Sequence, residues 1–159
     1  MKFSTRQDIE APIDFVFARA TDFSSFERQA LRRGVEIERV DENKEICAGM
    51  QWGAAFTFRG KPRRVQAELT EYEPPQRLFF QSVSGGIEAK MEVDFLPLSR
   101  QRTRVRLGLT LTPRTLPARL LVQSLKFAKN NLDDRFAKRL VSFGRDVEER
   151  YPGKRNINV

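Results

Sequence analysis

The chain has 159 residues, of which 40% are hydrophobic and 31% charged, with a formal net charge of +8; this balance is typical of one globular domain. It contains no histidine, which excludes Ser-His-Asp and Cys-His catalytic arrangements and His-containing zinc sites, and no cofactor or metal is predicted. The chain has one cysteine, Cys47, and its N-terminus lacks the apolar run of a signal peptide. No stretch approaches the ~20 apolar residues of a membrane-spanning helix. These features predict a reduced, cytoplasmic protein.

The N-terminal part of the chain predicts one strand followed by two short helices. Apolar and polar residues alternate over 3–10, as in a strand with one wet face. Apolar side chains then repeat at helical spacing. Asp22 is a candidate N-cap of the second helix, Ser24 and Glu27 have the spacing of a capping box, and Gly34 suits the helix end.

An antiparallel meander of six strands is predicted next. The apolar residues follow a period of two from Val35 onward for roughly eighty residues. Turn signals separate the strands at 41–43, 59–62, 73–75, 84–86 and 97–100. In the last two strands one face is apolar and the other charged. We expect Glu92 and Asp94 to face Arg104 and Arg106 as cross-strand support rather than as a catalytic cluster.

A long amphipathic helix is predicted after the strands, because apolar residues recur at steps of three and four over 115–151. At 1.5 Å per residue it would be ~55 Å long, which exceeds the strands that it covers. We therefore expect a bend, either at the weak helix formers of 130–134 or at Gly144. The remaining residues, 152–159, have no periodicity and predict a flexible tail after a single domain over 1–151.

The positive charge is concentrated in the C-terminal part of the chain. Residues 114–159 hold 11 of the 29 Lys and Arg but 5 of the 21 Asp and Glu. Such a segment attracts nucleic acid, anionic lipid or an acidic partner, although a solvated helix face explains the same cluster.

Two stretches, 9–27 (IEAPIDFVFARATDFSSFE) and 71–82 (EYEPPQRLFFQS), resemble the SRPBCC superfamily. These START-like or Bet v 1-like helix-grip proteins include polyketide cyclase/dehydrase relatives, and the resemblance extends from Phe3 to about Tyr151. It implies an α+β fold in which a seven-stranded antiparallel sheet curves around a long C-terminal helix, with two short helices after the first strand. It also implies a largely apolar cavity that binds a hydrophobic ligand, with catalysis in some members only.

Four residues of the apolar sheet face are candidate ligand-binding residues: Trp52, Phe56, Met91 and Phe95. Packing in a closed core explains the same side chains, because pockets and cores use the same residue types. Trp52 is the strongest candidate, since its indole N–H needs a polar partner if it is buried.

Glu71 is the candidate catalytic residue. It continues the face of Val65, Ala67 and Leu69 on its strand, and an inward-facing carboxylate would have its pKa raised by desolvation. The alternative is that Glu71 lies at the strand end in solvent, because unpaired buried carboxylates are rare.

Three functions are compatible with these features. The first is binding or transport of a hydrophobic small molecule, such as a lipid, quinone or polyketide-like compound, by a protein with little or no catalytic activity. The second is a cyclase/dehydratase-type enzyme that uses the same cavity. The third is a module that binds an anionic membrane surface or RNA through the basic C-terminal helix. Both a monomer and a homodimer are compatible with the sequence.

Overall fold

The computed structural model describes residues 1–153, and its elements follow the predicted order. They are β1 (Lys2–Ile9), α1 (Ile13–Ala20), α2 (Phe23–Arg32), β2 (Glu36–Arg39), β3 (Gln51–Phe58), β4 (Lys61–Glu73), β5 (Arg77–Ser84), β6 (Ile87–Ser99), β7 (Arg102–Pro113), α3 (Leu116–Lys126) and α4 (Lys129–Arg150). The predicted tail over 152–159 lies, apart from its first two residues, outside the described residues. No described helix is both long and apolar enough to cross a bilayer.

The seven strands form one antiparallel sheet in the order β1-β7-β6-β5-β4-β3-β2. Strands β2 to β7 are the predicted meander, and its last strand, β7, pairs with β1. Helix α4 packs against β1, α1 against β6 and β7, and α2 against β2 at the other edge. The α+β helix-grip arrangement is therefore confirmed.

The start of α2 differs from the capping-box prediction. The helix begins at Phe23, and the Asp22 carboxylate accepts a hydrogen bond of 3.3 Å from the backbone N–H of Ser25. Asp22 is thus the N-cap, as predicted, and Ser24 lies inside the first turn. Glu27 does not close a capping box and is available for another contact.

The predicted C-terminal helix is two helices. The chain leaves α3 at Phe127, and the N–H of Ala128 donates to the carbonyl of Leu125, three residues back, before α4 begins. The break lies at Phe127–Ala128 rather than at the two positions expected for the bend, 130–134 and Gly144, both of which are in α4. Gly144 lies against β1, where an added Cβ would be 3.3 Å from Ile9 Cγ1.

The charged outer face of the sheet is paired differently from the prediction. Asp94 does lie opposite Arg106 in register, but its carboxylate and that of Glu92 form ion pairs with Arg77 of β5, at 3.5 and 3.8 Å. Arg104 instead pairs with Asp8 of β1 at 2.8 Å. The charges support strand pairing, as expected, with partners on the other neighbouring strands.

Candidate functional site

A cavity of about 480 Å³ lies between the inner face of the sheet and helices α2 and α4. The strands contribute Ile37, Trp52, Ala67, Leu78, Phe80, Met91, Val93, Phe95, Val105 and Leu107. The helices contribute Ala20 of α1, Phe23, Phe26, Glu27 and Ala30 of α2, and Arg139, Leu140 and Phe143 of α4. Glu27 and Arg139 are the charged side chains among these described residues. The volume is within the ~300–1,000 Å³ range of small-molecule sites.

Three of the four predicted ligand-binding residues line this cavity. Trp52, Met91 and Phe95 all face it, and Trp52 and Phe95 are only 5% and 4% exposed. Phe56 does not line it: it lies further along β3, opposite Arg63 of β4, and is half-buried there. The alternation of β3 correctly gives Phe56 the face of Trp52, but the cavity ends before that position.

The buried indole of Trp52 has a carboxylate partner. Its Nε1–H donates a hydrogen bond of 2.9 Å to Glu27 Oε1, which satisfies the donor that burial would otherwise leave unpaired. The ring of Trp52 also packs edge-on against Phe23 and tilted against Phe80, with centroids 5.1 and 6.2 Å apart. An aromatic wall therefore joins β3, β5 and α2.

Arg39 covers Trp52 from β2, with its guanidinium carbon 5.8 Å from the ring centroid. Asp41 holds this arginine by accepting two hydrogen bonds, of 2.8 Å from Nε and 2.7 Å from Nη2. The same carboxylate accepts from the backbone N–H groups of Asn43 and Gln51. The Arg39 hydrogen bonds, followed by that of Gln51, hold the pKa of Asp41 well below its usual 3.8.

Glu71 does not face the cavity. A β-bulge between Leu69 and Glu71 shifts the register of β4 against β5, so the alternation that carries Leu69 inward does not continue to Glu71. Tyr72 packs on the core instead, in contact with Phe17. The Glu71 carboxylate accepts a hydrogen bond of 3.0 Å from Arg77 on the outer face. The inward placement was wrong, and the solvated alternative describes the residue.

Sequence reasoning missed both charged residues of the cavity. Glu27 was assigned to a capping box, yet it follows Phe23 by four residues and precedes Ala30 by three, the spacing of one helix face. A carboxylate on the apolar stripe of a short helix is the signal that could have identified it. Arg139 is equally placed, three residues after Phe136 and four before Phe143.

Comparison with known proteins agrees with this architecture. A family model described as "Polyketide cyclase / dehydrase and lipid transport" matches residues 1–148. No curated protein matches the chain.

Solved structures share the fold at low sequence identity. TTHA0849 from Thermus thermophilus is 22% identical, with a TM-score of 0.68 over 92% of this chain and 97% of that chain. The Zhui aromatase/cyclase from Streptomyces sp. R1128 is 13% identical, with a TM-score of 0.67 over 94% of each chain. A START superfamily protein from Mycobacterium smegmatis is 11% identical, with a TM-score of 0.57 over 87% of this chain and 98% of that chain.

Proposed function

Because the chain belongs to the polyketide cyclase / dehydrase and lipid transport family, we propose that it binds and carries a hydrophobic small molecule, such as a lipid, quinone or polyketide-like compound, in the cavity between the sheet and α4. The observation that carries this proposal is the lining of the cavity, which is apolar except for Glu27 and Arg139. An apolar wall with few polar groups is the usual chemistry of a site for a hydrophobic ligand.

Binding accounts for these residues better than catalysis does. The one carboxylate of the described cavity lining, Glu27, already accepts the hydrogen bond of Trp52. Cyclisation and dehydration need groups that move protons at the substrate, and the other acidic candidate, Glu71, is on the outer face of the sheet. A cyclase/dehydratase activity is the second interpretation of the cavity, with Glu27 in place of Glu71 as its proton-transfer group.

Two alanine-to-phenylalanine substitutions on neighbouring strands test the proposal. Ala67 of β4 lines the cavity beside its register partner Trp52, whereas Ala55 of β3 is on the other face of the sheet. The probe is the neutral dye N-phenyl-1-naphthylamine, whose emission rises in apolar surroundings. We expect the native protein and Ala55→Phe to bind it saturably and Ala67→Phe to bind at least about tenfold more weakly, since the added ring occupies the cavity. Equal binding by both folded variants, or no binding by the native protein, would overturn the proposal.

A second function is favoured by α3: we propose that this helix docks the protein on an anionic membrane surface. Phe127 is 95% exposed, and Leu116 and Leu120 are 70% and 60% exposed. Spacings of four and seven residues put these three side chains on one face. Arg119 and Lys126 lie beside that face, both exposed.

A further cation reaches α3 from the sheet. Arg59, in the turn between β3 and β4, donates a hydrogen bond of 2.7 Å to the hydroxyl of Ser124. Exposed apolar side chains flanked by cations are typical of helices that insert into an anionic lipid interface. RNA would use the cations but leaves the two leucines unexplained, because bases stack on aromatic or guanidinium planes.

Vesicle flotation tests the membrane proposal. We expect binding to phosphatidylcholine vesicles that contain phosphatidylglycerol, weaker binding to phosphatidylcholine alone, and a decrease with added salt. Phe127→Ser should reduce the bound fraction, whereas Leu96→Ser, which changes an exposed leucine of β6, should not. No vesicle binding, equal loss in both variants, or binding to RNA in place of vesicles would contradict it.

A further inference from the structure

A second cleft, of about 360 Å³, adjoins the apolar cavity and is bordered by α1, α2 and α4. The two spaces share three lining residues, Phe26, Arg139 and Phe143. The ring of Phe26, on α2, packs against the ring of Phe143, on α4, with their centroids 6.4 Å apart. This ring pair therefore stands where the cleft meets the cavity, and Arg139 belongs to both.

The cleft has the opposite chemistry to the cavity. Three arginines line it, Arg19, Arg33 and Arg139, together with two serines, a glutamine and one carboxylate, that of Asp146. Hydroxyl, amide and guanidinium groups all donate hydrogen bonds. The excess of cations and donors gives the cleft a positive potential suited to an anion.

The guanidinium groups of the cleft are incompletely satisfied. Arg19 pairs loosely with Asp22 and Asp146, at 3.4 and 3.6 Å, and its buried Nε has no hydrogen-bond acceptor in the described part of the chain. Within residues 1–153, Arg33 and Arg139 form no ion pair, and both are exposed. Burial of Arg19 Nε without an acceptor is costly, whereas Arg33 and Arg139, being exposed and without an ion pair among these residues, are available to bind an anion.

We infer that the ligand is an anionic amphiphile whose carboxylate or phosphate binds in this cleft while its hydrocarbon part passes beside the Phe26 and Phe143 ring pair into the apolar cavity. The inference rests on the proposed function and adds the chemical class of the ligand. Arg139 is the central residue because it contacts both spaces, and Arg33 supplies a second fork for the anion. Guanidinium groups bind carboxylates and phosphates through paired, charge-assisted hydrogen bonds.

Ligands that share one chain and differ in the head group test the inference. Dodecanol, dodecanoate and dodecyl phosphate are compared near neutral pH, below their micellar concentrations, by displacement of N-phenyl-1-naphthylamine. We expect dodecanoate or dodecyl phosphate to bind at least about tenfold more tightly than dodecanol, the ratio expected for a hydrogen-bonded charge. The preferred anion identifies the head group as a carboxylate or a phosphate.

Arginine variants on α4 give the matched controls. Arg139→Gln should remove most of the preference for the anion over dodecanol, whereas Arg139→Lys should keep part of that preference. Arg145→Gln changes an exposed arginine of the same helix that lines neither space, and it should keep the full preference.

Two results would overturn the inference, and they separate it from the proposed function. If dodecanol binds as tightly as both anions, or if the preference survives Arg139→Gln combined with Arg33→Gln, the cleft does not bind the anion although the cavity still binds apolar chains. If none of the three ligands binds, the inference and the proposed function both fail.

Discussion

Trp52 of β3 and Glu27 of α2 are joined by a hydrogen bond of 2.9 Å across one wall of the cavity. This bond is a specific polar tie between the sheet and a helix that has no fully buried residue of its own. It also uses the only carboxylate among the described cavity-lining residues, so it connects the stability of α2 with the chemistry of the site.

Removing the Glu27 side-chain acceptor should lower the free energy of unfolding more than replacing it with a neutral acceptor. In Glu27→Ala the indole N–H loses its partner while the ring stays buried, and we expect a loss of about 1–3 kcal/mol in the free energy of unfolding. Glu27→Gln keeps an oxygen that accepts, so its loss should be about 1 kcal/mol or less. Urea unfolding followed by far-ultraviolet circular dichroism measures both. Equal stability of Glu27→Ala and the native protein would show that the bond is not formed in solution.

Glu71→Gln should leave ligand binding unchanged. The carboxylate is on the outer face, where it pairs with Arg77 in a largely exposed position. Such surface pairs contribute about 0–1 kcal/mol, so the unfolding midpoint should change little. Dye titration of this variant beside Ala67→Phe checks the expectation. A fall in dye affinity as large as that of Ala67→Phe would show that Glu71 takes part in ligand binding and would contradict its outer-face placement.

The turn between β5 and β6 offers a matched pair of glycine substitutions. Gly85 and Gly86 both have positive φ, +53° and +82°, so Ala at either position should cost about 1–2 kcal/mol of backbone strain. A Cβ on Gly86 would also lie 2.5 Å from the hydroxyl of Thr115, which caps α3, whereas one on Gly85 meets no atom within 4 Å. Gly86→Ala should therefore be the less stable variant in thermal unfolding. Equal melting temperatures would contradict the contact.

The stabilising effect of Asp41 should depend on pH. Its carboxylate is 9% exposed, and its pKa in the folded protein is below the usual 3.8 because Arg39 and two backbone N–H groups donate to it. A lowered pKa adds stability that is present above the usual pKa and is lost as the pH falls through the folded value. Asp41→Asn should thus melt below the native protein at neutral pH, and the difference should narrow below about pH 4. A difference independent of pH would contradict this assignment.

The order of elements was predictable because long runs with a period of two or of three to four residues specify strands and helices. The failures occurred where one residue changes that period. The bulge before Glu71 reverses which side chains at the end of β4 face the core, and the composition of the strand gives no signal of it. The helix break at Phe127 was likewise missed, because neither Phe127 nor Ala128 is among the residues that usually end a helix.

The site was harder to predict than the fold for a physical reason. Trp52, Met91 and Phe95 would show the same apolar pattern in a solid core, so only the packing of α2 and α4 over them reveals a cavity. Glu27 and Arg139 are the charged residues of the cavity lining, but each lies within a helix that contains several other polar residues. Their position on the apolar stripe could be recognised once the two helices were placed above the sheet.

The most direct test of the proposed function uses the fact that Trp52 is the only tryptophan of the chain. Its ring lines the cavity, so a bromine atom on a bound apolar chain should quench its emission on contact. The native protein is titrated with 11-bromoundecanol and with undecanol as the control. Ligand binding in the cavity predicts saturable quenching by the brominated alcohol alone, and its loss in Ala67→Phe. Unquenched Trp52 emission at saturating alcohol would contradict a ligand site between the sheet and α4.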